Sequence, residues 1–76
     1  MNAITGQTFI MNQIINLKDV IQVTGLSRAT IYNITNQRHK QYDPTFPKQV
    51  NLTVGRVGWS ALEIHIWIES KLASRK

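Results

Sequence analysis

Residues 16–36 read NLKDVIQVTGLSRATIYNITN, and the order of capping residues within this stretch decides the fold. Asn16 offers a side-chain oxygen at a helix start. Asp19, three residues later, can return that bond and meets the positive end of the helix dipole. Val20, Ile21 and Val23 supply apolar bulk, and Gly25 takes the positive φ that closes a helix. The chain then restarts at once in Leu26-Ser27-Arg28-Ala29-Thr30, with Ser27 as the next cap. Ile31 and Ile34 recur at helical spacing and face inward with Leu26. Two short helices joined by a tight, glycine-containing turn make a helix-turn-helix. Neither is long enough to persist in water unless packed.

Downstream, a turn-rich connection follows the second helix, which frays within residues 36–40. Pro44 and Pro47 in Tyr42-Asp43-Pro44-Thr45-Phe46-Pro47 each push the preceding residue away from helix. From Lys48 to Val54 the chain alternates, with Val50, Leu52 and Val54 on one side and Gln49, Asn51 and Thr53 on the other. That is the pattern of a half-buried strand. Gly55-Arg56 marks a turn, and Val57-Gly58-Trp59 returns as a second, short strand that must lean on the helices. Ser60 and Glu63 form a capping box for a last helix running to about Leu72, with Ile64, Trp67 and Ile68 as its core stripe. The fold class is α+β, mainly helical: a small winged helix-turn-helix with a two-stranded β-hairpin wing and a C-terminal helix. Upstream, residues 1–13 include Ile4, Phe9, Ile10 and Met11 without a clean period, and read as a flexible N-terminal tail ahead of a domain spanning 14–76.

Composition narrows the function. Seventy-six residues, 42% hydrophobic and 17% charged, make one globular domain too small for a deep catalytic cleft. The chain has no cysteine, which excludes disulfide frameworks, thiolate zinc sites and thiol nucleophiles. Its first basic residue is Lys18, so no signal-peptide n-region precedes the apolar residues near the start. No run approaches the roughly 18 consecutive apolar residues of a membrane span. A soluble cytoplasmic protein is the expectation. The net charge is +5, from nine Lys and Arg against four Asp and Glu. Between Ser27 and Trp59 stand five basic residues (Arg28, Arg38, Lys40, Lys48, Arg56) and one acidic residue, Asp43. Positive charge concentrated in this way favours a polyanion. His39 and His65 lack ligand-spaced partners, and no nucleophile-base-acid set or phosphate-cradling loop is present. The expectation is therefore no enzyme, no metal, no cofactor and no small-molecule ligand.

The candidate interface is double-stranded DNA read by the second helix. The major groove of B-DNA admits one α-helix, whose first turns reach base edges and phosphates. With Ile31 and Ile34 turned inward, the outer face is Arg28, Ala29, Tyr32, Asn33 and Asn36, with Gln37 at its edge. Arg28 suits a guanine edge or a phosphate, and Asn33 and Asn36 suit adenine. Ser27 acts as a cap, and Thr30 either supports it or donates to a phosphate. Arg56 at the hairpin tip and Lys48 at its base suit the backbone or the minor groove. Arg38, His39 and Lys40 follow the helix and lie near the same backbone. Trp59, Trp67, Phe46 and Tyr42 read as core rather than base-stacking residues. On the last helix, Leu62 and Ile66 lie on the opposite side from Ile64 at about 100° per residue. They form a second apolar strip, covered either by residues 4–15 or by a neighbouring molecule.

Taken together, Leu17-Lys18-Asp19-Val20, Thr24-Gly25-Leu26-Ser27-Arg28-Ala29-Thr30-Ile31-Tyr32, Phe46-Pro47-Lys48, Gly55-Arg56-Val57-Gly58-Trp59 and Glu63-Ile64 through Trp67-Ile68-Glu69-Ser70 resemble AlpA-type prophage regulatory proteins over about residues 14–72. The resemblance implies a MerR- or excisionase-like winged fold and control of transcription or excision of an integrated element. The chain departs from the family pattern at Asn33, usually basic, and at Gln49, usually proline. Three roles share one winged contact: activator, repressor, and an excisionase-like architectural factor that bends DNA. A reading of another class is a small protein-interaction module binding a host protein. That module calls for an apolar face over Ser27–Asn36, where this chain is polar.

Overall fold

The computed structural model describes residues 13–75. In chain order it contains β1 (Ile14–Ile15), α1 (Leu17–Thr24), α2 (Arg28–Thr35), β2 (Val50–Thr53), β3 (Arg56–Ser60) and α3 (Ala61–Ser74). This is a small, mainly helical α+β domain. The upstream residues read as a tail, with Ile4, Phe9, Ile10 and Met11, lie outside the described residues. No helix among the described residues is long and apolar enough to cross a membrane.

The helix-turn-helix forms through the caps that local chemistry supplies. Asn16 Oδ1 accepts from the Asp19 N–H at 2.9 Å, and Asp19 Oδ2 accepts from the Asn16 N–H at 3.3 Å. Gly25 adopts a φ of 75° and donates its N–H to Ile21 O, closing α1. Within the turn, the Thr24 hydroxyl donates to Val20 O at 2.7 Å and accepts from the Leu26 N–H at 3.2 Å. Ser27 Oγ then accepts from the Thr30 N–H and opens α2. The turn thus ties the Gly25 and Leu26 N–H groups back onto α1.

The sheet contains the expected hairpin and one strand more, in the order β1-β3-β2. Ile14 pairs with Ser60 and Ile15 with Trp59, antiparallel. Gln13 O accepts from the Ala61 N–H at 2.8 Å, so the chain before β1 also closes the start of α3. On the other edge, Val50 pairs with Gly58 and Asn51 with Val57, before the register shifts between Asn51 and Thr53. The strand expected over Lys48–Val54 is shorter, and it is not half-buried. Val50 is 37% exposed, Leu52 48%, and Val54 fully exposed. The reason is position: β3 in the middle packs on α1 and α3, whereas β2 meets chiefly β3.

The core draws on every part of the domain. Val20 from α1, Ile31 from α2, Phe46 from the connection, Trp59 from β3 and Ile64 from α3 are buried in one cluster. Ile15, Leu17, Ile21, Leu26, Ile34, Trp67 and Ile68 pack against it. Beside this core, β1 and β3 approach closely at Gly58. A Cβ there lies 2.5 Å from Ile14 Cγ2 and 2.9 Å from the Ile15 carbonyl oxygen. The second contact is backbone, so it cannot rotate away.

Gly58→Ala should therefore lower stability by roughly 1–3 kcal/mol through overpacking, read as a lower urea midpoint. Gly25→Ala meets open space and should cost only about 1–2 kcal/mol from its left-handed φ. A Gly58→Ala protein with an unchanged midpoint would show that β1 does not seat against β3.

Candidate nucleic-acid interface

The outer side of α2 carries most of the residues singled out from the sequence. Arg28, Ala29, Asn36 and Gln37 are exposed, and Tyr32 is 56% exposed. Ile31 faces the core, as helical spacing requires. Thr30 is half-buried, and its Oγ1 accepts from the Ser27 hydroxyl at 2.9 Å, so the pair braces the first turn of α2.

Asn33, expected to be freely exposed, is half-buried and tethered. Its Nδ2 donates to Gln41 Oε1 at 3.2 Å. The cause is the path of the connection after α2, which folds back along the helix. Asn36 caps the C-terminal end of α2, donating its N–H to Asn33 O and accepting from the Arg38 N–H at 3.0 Å on its own Oδ1. The His39 N–H donates to Asn36 O, and the Tyr42 N–H to His39 O. The Asp43 N–H reaches Ile34 O at 2.9 Å, satisfying a carbonyl the last helical turn leaves open. His39 Nδ1 accepts from the Gln41 N–H at 3.0 Å.

Asp43 is the anchor of this connection. Its carboxylate accepts from the Thr45 N–H and hydroxyl, from Trp67 Nε1 at 3.4 Å, and pairs with Lys71 Nζ at 3.3 Å. The Lys71 ammonium also lies 5.3 Å from the centre of the Trp67 ring, which meets Phe46 edge-on at 4.9 Å. The Thr45 hydrogen bonds and the Lys71 charge hold the Asp43 pKa down at about 2, against the opposing effect of burial.

The wing adds exposed cations. Arg56 opens β3 beside Gly55, whose φ is 81°, and Lys48 precedes β2. Lys48 also joins Gln37, Tyr42, Gln49 and Trp59 around a cleft between the end of α2 and the base of the wing. Among the described residues the one ion pair is Asp43–Lys71. Arg28, Arg38, Lys40, Lys48 and Arg56 therefore have no carboxylate partner there. Nor is there a group of three or more His, Asp or Glu that holds a metal ion among the described residues. On α3, Ile64 is buried while Ile66 is 56% exposed and Leu62 half-buried, so the second apolar strip has a side of its own. Gln41 and the Asp43 clasp were not visible as site features from sequence. The available signal was Asn36, a residue that starts turns by bonding its own backbone two residues on.

Comparison with known proteins covers the same span. The family model described as Prophage CP4-57 regulatory protein (AlpA) matches residues 13–72. The chain is 46% identical over 59 residues to the DNA-binding transcriptional activator AlpA of Escherichia coli (strain K12), covering 78% of this chain and 84% of that protein. It is 32% identical over 62 residues to the uncharacterized protein ORF88 of Enterobacteria phage P4, covering 82% of this chain and 64% of that protein. No solved structure matches the chain.

The Asp43 clasp makes stability depend on acid. A carboxyl held at about 2 when folded and at its ordinary 3.8 when unfolded stabilises fully above the unfolded value. That contribution drains as pH falls from there through the folded value. Asp43→Ala should cost roughly 1–3 kcal/mol at neutral pH through the lost charged acceptor. It should also flatten the fall in urea midpoint between pH 5 and pH 2. An equally steep acid limb in the variant would assign the effect to other carboxylates.

Proposed function

The chain belongs to the AlpA family of prophage regulatory proteins, and from that premise we propose that it is a sequence-specific DNA-binding transcriptional regulator of phage or integrated-element type. The recognition helix is α2, seated in the major groove, with the β2–β3 wing on the adjacent backbone or minor groove. The observation that carries this reading is the outer face of α2. Arg28, Tyr32 and Asn33 line it, and cations without a carboxylate partner among the described residues flank it in sequence and on the wing. A helix presented at the surface by a tight turn, with polar side chains outward, fits the groove's width and its donor and acceptor pattern.

The roles divide by chemistry. Arg28 sits in the first turn of α2, where its fork grips either a guanine edge or a phosphate. Ala29 permits close approach, Tyr32 and Gln37 border the contact, and Thr30 supports the first turn. Lys48 and Arg56 neutralise phosphates and position the protein without reading sequence. The name of the E. coli relative favours activation over repression. An excisionase-like bending role uses the same contacts. A module for a host protein is disfavoured by the polar outer face of α2.

Binding sites selected from random duplexes provide the test. Arg28→Ala should weaken binding to the selected site by roughly 1–3 kcal/mol with the thermal midpoint kept. Arg56→Ala should weaken selected and random DNA alike and reduce the salt slope by about one counterion. Full-strength binding by Arg28→Ala would remove α2 from the groove. The Leu62–Ile66 strip extends the proposal to contacts between neighbouring molecules on adjacent sites. Leu62→Glu combined with Ile66→Lys should abolish cooperativity on tandem sites and leave single-site binding intact. Undiminished cooperativity in the folded double variant would refute that contact.

A further inference from the structure

We propose that Gln41, a residue of the loop rather than of the reading helix, sets base specificity by orienting the Asn33 carboxamide toward adenine. The inference rests on the reading of α2 as the recognition helix and adds a residue to it.

A carboxamide on a surface helix is ambiguous. Turned by 180° about its last bond, it exchanges an acceptor oxygen for a nitrogen with two donors. Such a group meets many base edges about equally. Adenine in the major groove presents N7 as acceptor and the N6 amino group as donor. A carboxamide matches that edge only when its oxygen and one N–H lie side by side toward the base. Guanine presents two acceptors, O6 and N7, so the same orientation sets oxygen against oxygen.

Asn33 cannot turn over alone. Its Nδ2 donates to Gln41 Oε1 at 3.2 Å across eight positions of sequence. While Gln41 presents Oε1, a flipped Asn33 carboxamide would set oxygen against oxygen, so the two carboxamides turn over only together. One N–H is thus committed to the loop, and the other N–H and Oδ1 remain. One donor and one acceptor are the complement of adenine's major-groove edge. The backbone that carries Gln41 is fixed, and its carboxamide meets Asn33 from that fixed point. Its N–H donates to His39 Nδ1, and the turn closes on both sides through Tyr42 N–H to His39 O and Asp43 N–H to Ile34 O. The second carboxamide on this face is arranged differently. Asn36 spends its Oδ1 on the Arg38 N–H at 3.0 Å, which leaves mainly donors for DNA. Of the two asparagines, Asn33 is the one whose oxygen is uncommitted while one N–H is tied.

Gln41 is then a positioning residue, and its loss should appear as relaxed selectivity at one base pair rather than as uniformly weaker binding. The experiment takes the selected site, substitutes each base pair in turn, and compares four variants with the parent chain. Asn33→Ala should lose discrimination for one A·T pair, roughly five- to 150-fold by the usual worth of a bidentate contact. Gln41→Ala should lose part of that discrimination, about two- to tenfold, at the same pair. The double variant should discriminate no worse than Asn33→Ala alone. Gln41→Glu keeps the acceptor oxygen, so it should retain the preference while its added negative charge lowers affinity for every sequence. Replacing that adenine with 7-deazaadenine should weaken the parent chain more than Gln41→Ala. The proposal is overturned if Gln41→Ala discriminates like the parent, if it weakens all sequences equally, or if the two variants affect different base pairs. A parent chain that selects no sequence from the random pool overturns the recognition-helix reading itself, which separates that failure from the failure of Gln41.

Discussion

Helices of eight residues do not hold their shape in water, and α1 and α2 are each of that length. Their stability must come from packing, and for α2 the packing is concentrated in one fully buried side chain, Ile31. Ile31 sits in the same cluster as Val20 of α1, Phe46 of the connection, Trp59 of β3 and Ile64 of α3, so the other two helices and the central strand share one core with it. Ser27 fixes one end of α2 and the Asp43–Ile34 backbone bond fixes the other. With one face buried and both ends tied, the opposite face is presented in a single orientation. On the proposed reading, matching the spacing of base edges needs that rigidity more than it needs a large core.

The connection between α2 and the wing has two tasks that its sequence does not advertise separately. Through Asp43 it grips Trp67 and Lys71 of α3, and through Gln41 it reaches Asn33 of α2. The electrostatic result matters as much as the mechanical one. Asp43 is the lone acid between Ser27 and Trp59, and its charge is answered by Lys71 from outside that stretch. The five cations of the middle of the chain keep their field for an external anion.

What could be read from the sequence was what neighbours decide. Asn16, Ser27 and Ser60 each cap the helix they precede, and Gly25 ends α1, because capping is settled within three or four residues. Ile31 and Ile64 were legible as core because helical spacing carries that information. Alternation in Val50-Asn51-Leu52-Thr53 gave the strand but not its depth, since period says which side a residue faces and not what lies beneath. Ile14 and Ile15 were not legible as a strand: two residues show no period, and their partners are Ser60 and Trp59. The Asn33–Gln41 bond was hidden for a related reason. It joins a helix to an irregular loop, where no repeat exists to read. Most of the scaffold was therefore open to inspection of the sequence, while the fine placement of the site depended on pairings between distant positions.

Those distant pairings also fix when the domain can exist. The Gln13 carbonyl binds the Ala61 N–H, and β1 is seated only once β3 has emerged. A chain leaving the ribosome has both helices of its helix-turn-helix early, but has neither Trp59 nor Ile64 to bury Ile31 against. Loop closure over nearly the whole domain has to precede the contacts that reward it. Assembly of the domain is thus held back until β3 and α3 have been made, and then proceeds as one cooperative event. A chain ending before α3 lacks the partners that hold α2 in place, so on the proposed reading an incomplete molecule has no fixed helix to offer DNA.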